Sequence, residues 1–180
     1  MVNNFVDIGL PDKISITREF DSMTIIRSWF GWEVAFITLF AVIWNSIIIK
    51  DYSNIEDYES LPWIHILSGV AVSYYAITGW FNKTYIKVTN QYIDISHKPL
   101  PWVGNKKINS YDIKQLYGKE KISRNNNSSS VTYEVHVIMN SGYDTKLLSG
   151  LSNSEQALYI EQEIEKFLGI KNKSVRGELG

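Results

Sequence analysis

Two long runs without charge constrain this chain more than any other feature. Val34 to Ile49 carries no charged side chain, and Leu61 to Asn82 carries no Asp, Glu, Lys or Arg. Extended back to Ser28, the first run admits only Glu33. About 20 apolar residues rising 1.5 Å each cross a hydrocarbon core of roughly 30 Å. Both runs are long enough for that, and too apolar all round to be wrapped by the residues that follow Asn82. The reading is a pair of transmembrane helices, about 28–49 and 61–82. Five of the six Trp (Trp29, Trp32, Trp44, Trp63, Trp80) lie in or beside these runs, near the ends where aromatic belts form. Pro62 suits the first turn of the second helix, where its missing N–H costs nothing. Whole-chain averages of 21% charged residues and a net charge of −1 conceal this uneven distribution.

The joining segment, Lys50 to Ser60, is short and acidic, with Asp51, Glu56, Asp57 and Glu59. Three Lys or Arg precede the first run, and nine fall between Lys83 and Arg124. The bias of Lys and Arg toward cytoplasmic flanks then puts both termini in the cytoplasm and the short loop outside. A multi-pass protein of the cell's inner (cytoplasmic) membrane is expected. Polar groups within membrane spans are functional candidates by default, and here they are Glu33, Asn45 and His65. In an antiparallel hairpin Asn45 and His65 fall at similar depth, so a hydrogen bond between them is expected, with Glu33 reaching for the inner interface. Gly69, Ser73 and Ala76 would face Ala35, Thr38 and Asn45 and let the helices approach closely. Glu33 and His65 differ by roughly 20 Å in depth by helix rise, too far for a relay within two helices.

After Asn82 the apolar period changes to two. Tyr85–Thr89 and Tyr92–Ser96 alternate around the tight Asn90-Gln91 turn, a hairpin signature. A Pro-rich connection, Lys98 to Asn105, leads to further strands expected at Lys106–Ser110, Ile113–Gly118, Val131–Met139 and Asp144–Leu148. The Asn/Ser run from Asn125 to Ser130 has nothing to bury and reads as a mobile loop. One helix, about 154–168, closes the domain: Asn153 can cap it, Gln156 follows, and Gly169 ends it. Leu158, Ile164, Phe167 and Leu168 give it an apolar stripe, while Glu161, Glu163 and Glu165 read as its solvated face. Residues 83–170 form this domain, and 171–180 read as a flexible tail. Within the polar segment 1–27, Lys13–Thr17 and Met23–Arg27 can pair around Asp21-Ser22 and add to an otherwise open sheet edge.

With no Cys, disulfides, thiolate metal sites and cysteine nucleophiles are excluded. No cleavable signal sequence is expected, and no Gly-rich phosphate loop or nucleophile elbow is present in the sequence. His65, His97 and His136 share no metal-binding spacing and read as structural or solvated. Neither a catalytic set nor a cofactor is nominated. One charge feature stands out: Lys83 to Arg124 holds nine basic against three acidic residues. Lys98, Lys106 and Lys107 flank Trp102, so this loop could insert an aromatic among anionic headgroups or grip a partner. Alternatively the charge is positive-inside bias and Trp102 is packed. A sequence pI near 6.3 and the membrane tether argue against nucleic acid.

Thr84–Thr89, Tyr92–Ser96 and Ile108–Ile113 resemble the opening strands of bacterial pleckstrin-homology-like domains, which often follow a transmembrane helix pair. From about Ile26 to Glu178 the chain also resembles a family of small bacterial two-helix membrane proteins of uncharacterised activity. That likeness rests on Pro99–Asn105, Lys146–Leu151 and Glu155–Ile164. It implies a membrane α+β protein: a transmembrane hairpin plus a PH-like antiparallel β domain closed by one C-terminal helix. Phosphoinositide binding is not carried over, because the first hairpin loop, Asn90-Gln91, has only Lys87 nearby. The functional expectation is a non-enzymatic, membrane-anchored adaptor whose cytoplasmic domain contacts a partner protein or the anionic membrane surface; for the chain as a whole the partner expectation is the lipid bilayer with a protein partner or a homo-oligomer. The alternative is a small transporter or channel subunit acting as an oligomer.

Overall fold

The computed structural model describes residues 8–53, 63–125 and 128–179. The acidic residues Glu56, Asp57 and Glu59 and Pro62, expected in the first turn of the second helix, lie outside the described residues. Among the described residues eight strands and three α-helices follow in the order β1 (Ile14–Arg18), β2 (Ser22–Ser28), α1 (Trp32–Tyr52), α2 (Trp63–Phe81), β3 (Lys83–Thr89), β4 (Tyr92–Lys98), β5 (Lys106–Asn109), β6 (Ile113–Asn125), β7 (Ser128–Met139), β8 (Asp144–Leu151) and α3 (Ser154–Leu168). One turn of 3-10 helix, Ser110–Asp112, joins β5 to β6. The architecture is α+β: two long apolar helices, two antiparallel sheets and a C-terminal helix.

Two compact units divide the chain. The β domain comprises residues 1–27, 85–96 and 104–180. Its strands stack in the orders β1-β2-β3-β4-β5 and β6-β7-β8. The N-terminal hairpin pairs Ile14–Arg18 with Met23–Arg27, and β2 lies next to β3 in the sheet. Alternation decides which side chains go inside. Ile86 and Val88, like Ile93 and Ile95, are two apart, point to one face and are fully buried. They share a core with Met23, Ile25, Leu116, Val135, Val137, Leu151 and, from α3, Ala157, Ile160 and Ile164.

Three expectations change here. The Asn/Ser run is mostly strand: β6 extends to Asn125 and β7 begins at Ser128, paired with each other, while 126–127 lie outside the described residues. Backbone pairing along β7 supplies the order that the small polar side chains do not. Helix α3 keeps its expected ends, with Asn153 Oδ1 accepting from the Gln156 N–H and Gly169 in the left-handed conformation (φ 66°). Its buried stripe, however, is Ala157, Ile160 and Ile164, whereas Leu158, Phe167 and Leu168 are only half-buried. Glu161, Glu163 and Glu165, read as solvated, are 1%, 7% and 0% exposed.

The second unit comprises residues 28–84 and 97–103. Helix α1 starts at Trp32 rather than Ser28 because β2 runs through Ser28. Trp32–Lys50 and Trp63–Phe81 are each 19 residues, with mean hydropathy 1.9 and 1.2, long and apolar enough to cross a membrane. They pack against each other at small residues: a Cβ at Gly69 would meet Asn45 Oδ1 at 2.8 Å.

Candidate functional site

In the helical unit, Asn45 Nδ2 donates to Ser73 Oγ (2.9 Å) and to the Ala41 carbonyl (2.6 Å). The expected Asn45–His65 bond is therefore replaced by an Asn45–Ser73 bond, because the rotation of α2 puts Ser73 opposite Asn45. His65 is exposed and lies beside the Trp44 ring, centroids 6.0 Å apart. A second polar bridge joins the helices, Trp80 Nε1 to Thr38 Oγ1 at 2.8 Å. Glu33 is exposed in the first turn of α1, where a negative charge suits the helix dipole.

The Pro-rich connection is held down rather than free. Asn82, buried at the end of α2, donates from Nδ2 to the Leu100 carbonyl (3.0 Å), and its Oδ1 accepts from the Leu100 N–H (2.8 Å). One side-chain amide thereby satisfies both backbone groups of a residue that lies in no strand. Trp102 packs among Trp29 (centroids 5.3 Å), Tyr75 (5.9 Å) and Tyr74 (6.2 Å). Trp29 Nε1 in turn donates to Thr84 Oγ1 at 2.7 Å, and Thr84 Oγ1 is 3.0 Å from His97 Nδ1. The aromatic nominated for insertion thus belongs to a cluster of four aromatic rings.

The three lysines are divided between the two units. Lys98 is exposed at the end of β4 and belongs, with Trp102, to the helical unit. Lys106 and Lys107 belong to the β domain. Lys106 Nζ donates to the Lys146 carbonyl (2.8 Å), and burial, then the nearby Lys146 charge, lower its pKa. Lys107 Nζ sits 3.7 Å from the centre of the Tyr92 ring, a cation–π contact across β4 and β5.

Two further clusters of charged side chains lie in the β domain. On the outer face of the three-stranded sheet, His136 places Nδ1 3.1 Å from Asp144 and Nε2 3.1 Å from Glu134. Tyr117 Oη donates to Asp144 (2.7 Å), and Lys121 and Lys146 each lie 3.4 Å from Glu134. Burial and the Asp144 hydrogen bond raise the Tyr117 pKa. Burial would raise Glu134 and Asp144, but hydrogen bonds outweigh it and hold both below the usual carboxylate range, from His136 at Glu134 and from Tyr117 and His136 at Asp144. The alternation Glu134-x-His136 placed two of these groups on one strand face, but their partners on β6 and β8 needed the sheet register.

The second cluster lies along the outer edge of β6. Glu161 Oε2 accepts from the Gly118 N–H (2.5 Å), and Glu165 Oε1 from the Leu116 N–H (3.1 Å). These carboxylates satisfy edge donors that no neighbouring strand takes. Burial, reinforced by Glu165, pushes Glu161 up to about 8; burial pushes Glu165 up to about 7. Glu163 pairs with Arg18 and, at 3.5 Å, with Lys166. The tail continues the cover: the Leu179 N–H donates to the Gly118 carbonyl (2.9 Å), and Gln115 Nε2 to the Lys173 carbonyl. Gly118 is tightly enclosed, for a Cβ there would meet Leu179 Cδ1 at 3.0 Å and Glu161 Oε2 at 3.2 Å. The tail read as flexible is thus fastened to β6. No group of three or more His, Asp or Glu among the described residues is arranged to hold a metal ion. Comparison with protein-family models finds no match, and comparison with curated proteins finds no relative.

Proposed function

We propose that this chain is a membrane-anchored interaction module. In this reading α1 and α2 cross the cytoplasmic membrane as a hairpin. Both termini and a PH-like β domain lie on the cytoplasmic side, where that domain contacts a partner protein or the anionic headgroup surface. The observation that carries it is the inverted burial of the helices: Phe36, Leu39, Phe40, Ile43 and Ile47 on α1, and Ile64, Leu67, Val70 and Ile77 on α2, stand 48–74% exposed. Surfaces of that kind need an apolar solvent. Nine Lys or Arg between Lys83 and Arg124 support the cytoplasmic assignment. Asn45 and Ser73 satisfy each other between the helices, which favours a structural role over an ion relay.

The absence of Cys makes the test direct. Single cysteines are placed in the full-length chain, in intact cells, and treated with a membrane-impermeant maleimide. Ser53→Cys is expected to label from outside, Lys13→Cys and Lys107→Cys only after the cells are opened, and Ile43→Cys not at all. Free labelling of Ile43→Cys, with release of the chain by alkaline washing, would overturn the anchoring. Mass spectrometry after mild detergent extraction tests the contact. A stoichiometric partner or anionic lipid lost on Lys98→Glu with Lys107→Glu supports it, and indifference to both changes refutes the lysines' part.

A further inference from the structure

The outer edge of β6 is protected along one half and bare along the other. Even-numbered residues of β6 turn their backbone N–H and C=O away from β7, as the bonds from Leu116 and Gly118 to α3 and the tail establish. By the same alternation Glu120, Ile122 and Arg124 present theirs to the same side. Among the described residues no backbone or side-chain group occupies them. Beyond the β8 register, which ends at Tyr133, β6 and β7 project as a two-stranded arm. The core face of the sheet runs out along it: Ile122 and Val131, directly opposed, are 51% and 45% exposed. An uncovered apolar edge strand of this kind is a template for another strand.

The sequence of the bare stretch indicates which strand. Antiparallel pairing of β6 with its own copy about a two-fold centre at Ile122 sets Ile122 opposite Ile122, and Glu120 opposite Arg124 twice. Opposite charges meet at both flanks, and four apolar side chains (Ile122 and Val131 from each copy) form one row between them. Lys119 and Lys121 on the other face meet no Lys across the pair. The tail bond at Gly118 bounds this stretch on one side and the end of β6 at Asn125 on the other, so this register uses all of it. We infer that the bare edge Glu120–Arg124 is a self-complementary docking strand, joining two copies of this chain through a two-fold β6–β6 pairing. Isologous contacts of this sort are the commonest way to make a dimer. The inference stands independently of the membrane reading. An interface of one strand pair falls below roughly 1,200 Å², the size of transient contacts, so covalent trapping is the suitable readout.

The test uses the full-length chain as expressed in cells, unfractionated, with single cysteines. Ile122→Cys is expected to form a disulfide-linked dimer on mild oxidation. Residues opposed in a hydrogen-bonded antiparallel pair lie about 5.5 Å apart at Cα, within the roughly 4.4–6.8 Å that a disulfide spans. Glu120→Cys alone should stay monomeric, since residue 120 and its copy lie roughly 14 Å apart along the strand. Glu120→Cys mixed with Arg124→Cys should link. In the Ile122→Cys background, Glu120→Lys is expected to weaken the dimer roughly tenfold, and adding Arg124→Glu to restore it. Maleimide labelling and protease resistance establish that each variant is folded and reachable. An Ile122→Cys that labels but does not link, linking at Glu120→Cys as readily, or linking to a different protein would each overturn the self-pairing.

Discussion

In the β domain Ile86, Val88, Ile93 and Ile95 are wholly buried, while in the helical hairpin Phe36, Leu39, Ile64 and Leu67 stand outside. What each unit hides is reversed as well. The hairpin tucks Gly69, Ala76, Thr78 and the Asn45–Ser73 bond between its helices. The β domain keeps aliphatic side chains inside and admits carboxylates where partners meet them: Glu161 and Glu165 at the open edge of β6, Glu134 beside His136 and Glu163 beside Arg18. The same residue types thus serve opposite purposes. In water, apolar burial drives folding at about 25 cal/mol per Å². On the proposed membrane reading that gain is absent between the two helices, so close packing of small residues and matched polar groups must hold the pair.

The contrast is broken or sharpened most strongly by core truncation. Ile93→Ala or Ile160→Ala is expected to destabilise the β domain by about 3 kcal/mol. Truncating the equally large Leu39 or Ile43 on the hairpin surface should cost less than about 1 kcal/mol in detergent, because no protein cavity forms there. Urea unfolding of the full-length chain in mild detergent measures the first, and protease resistance of the hairpin the second. Equal costs would erase the distinction. Next in size is Gly69→Val, which forces branched atoms against Asn45 and Ile48. A loss of about 1–3 kcal/mol is expected, confined to helix–helix packing. Disulfide trapping between cysteines placed on α1 and α2 should fall, while β-domain stability stays unchanged.

The most graded effect concerns pH. Glu161 and Glu165 titrate near 8 and 7 when folded, above their ordinary value of 4.5, so the native state holds protons that the unfolded chain has released. Their contribution is complete below about pH 4.5 and is lost as pH rises through 7 and 8. Glu134 and Asp144 act oppositely: their folded values are depressed, so their contribution is lost as pH falls through those values. The β domain should therefore melt highest at mildly acid pH. Glu161→Gln with Glu165→Gln keeps acceptors for Gly118 and Leu116 and should flatten the alkaline limb alone. A melting temperature that still falls between pH 6 and 9 in this double variant would locate the titrating groups elsewhere.

How far the sequence discloses this depends on the range of the interaction that decides each element. Apolar runs and period-two alternation are local, so α1, α2, β3, β4 and α3 are legible from neighbouring residues. The glutamates of α3 are not: spaced in alternation, they look solvated until the open edge of β6 is seen beside them. Asn45 illustrates the same limit, since helix rotation, which spacing alone leaves open, selects Ser73 over His65 as its partner. Trp102 and the lysines are legible as candidates, but their engagement with Tyr74, Tyr92 and Lys146 arises from chain folding. The strand character of Ser128–Ser130 comes from β6 opposite, for small polar side chains carry no pattern of their own.

The neighbours β2 and β3 are separated in the chain by residues 29–82, which contain both long helices. During synthesis the β1–β2 hairpin therefore leaves the ribosome well before its partner strand exists. Its second edge stays unmatched while the helices are made, and closing so long a gap carries an entropic cost that β3 meets only on arrival. Whatever governs the placing of α1 and α2 thus also governs when the five-stranded sheet can close. A fault in the helices would then surface as misassembly of a sheet to which they contribute no strand.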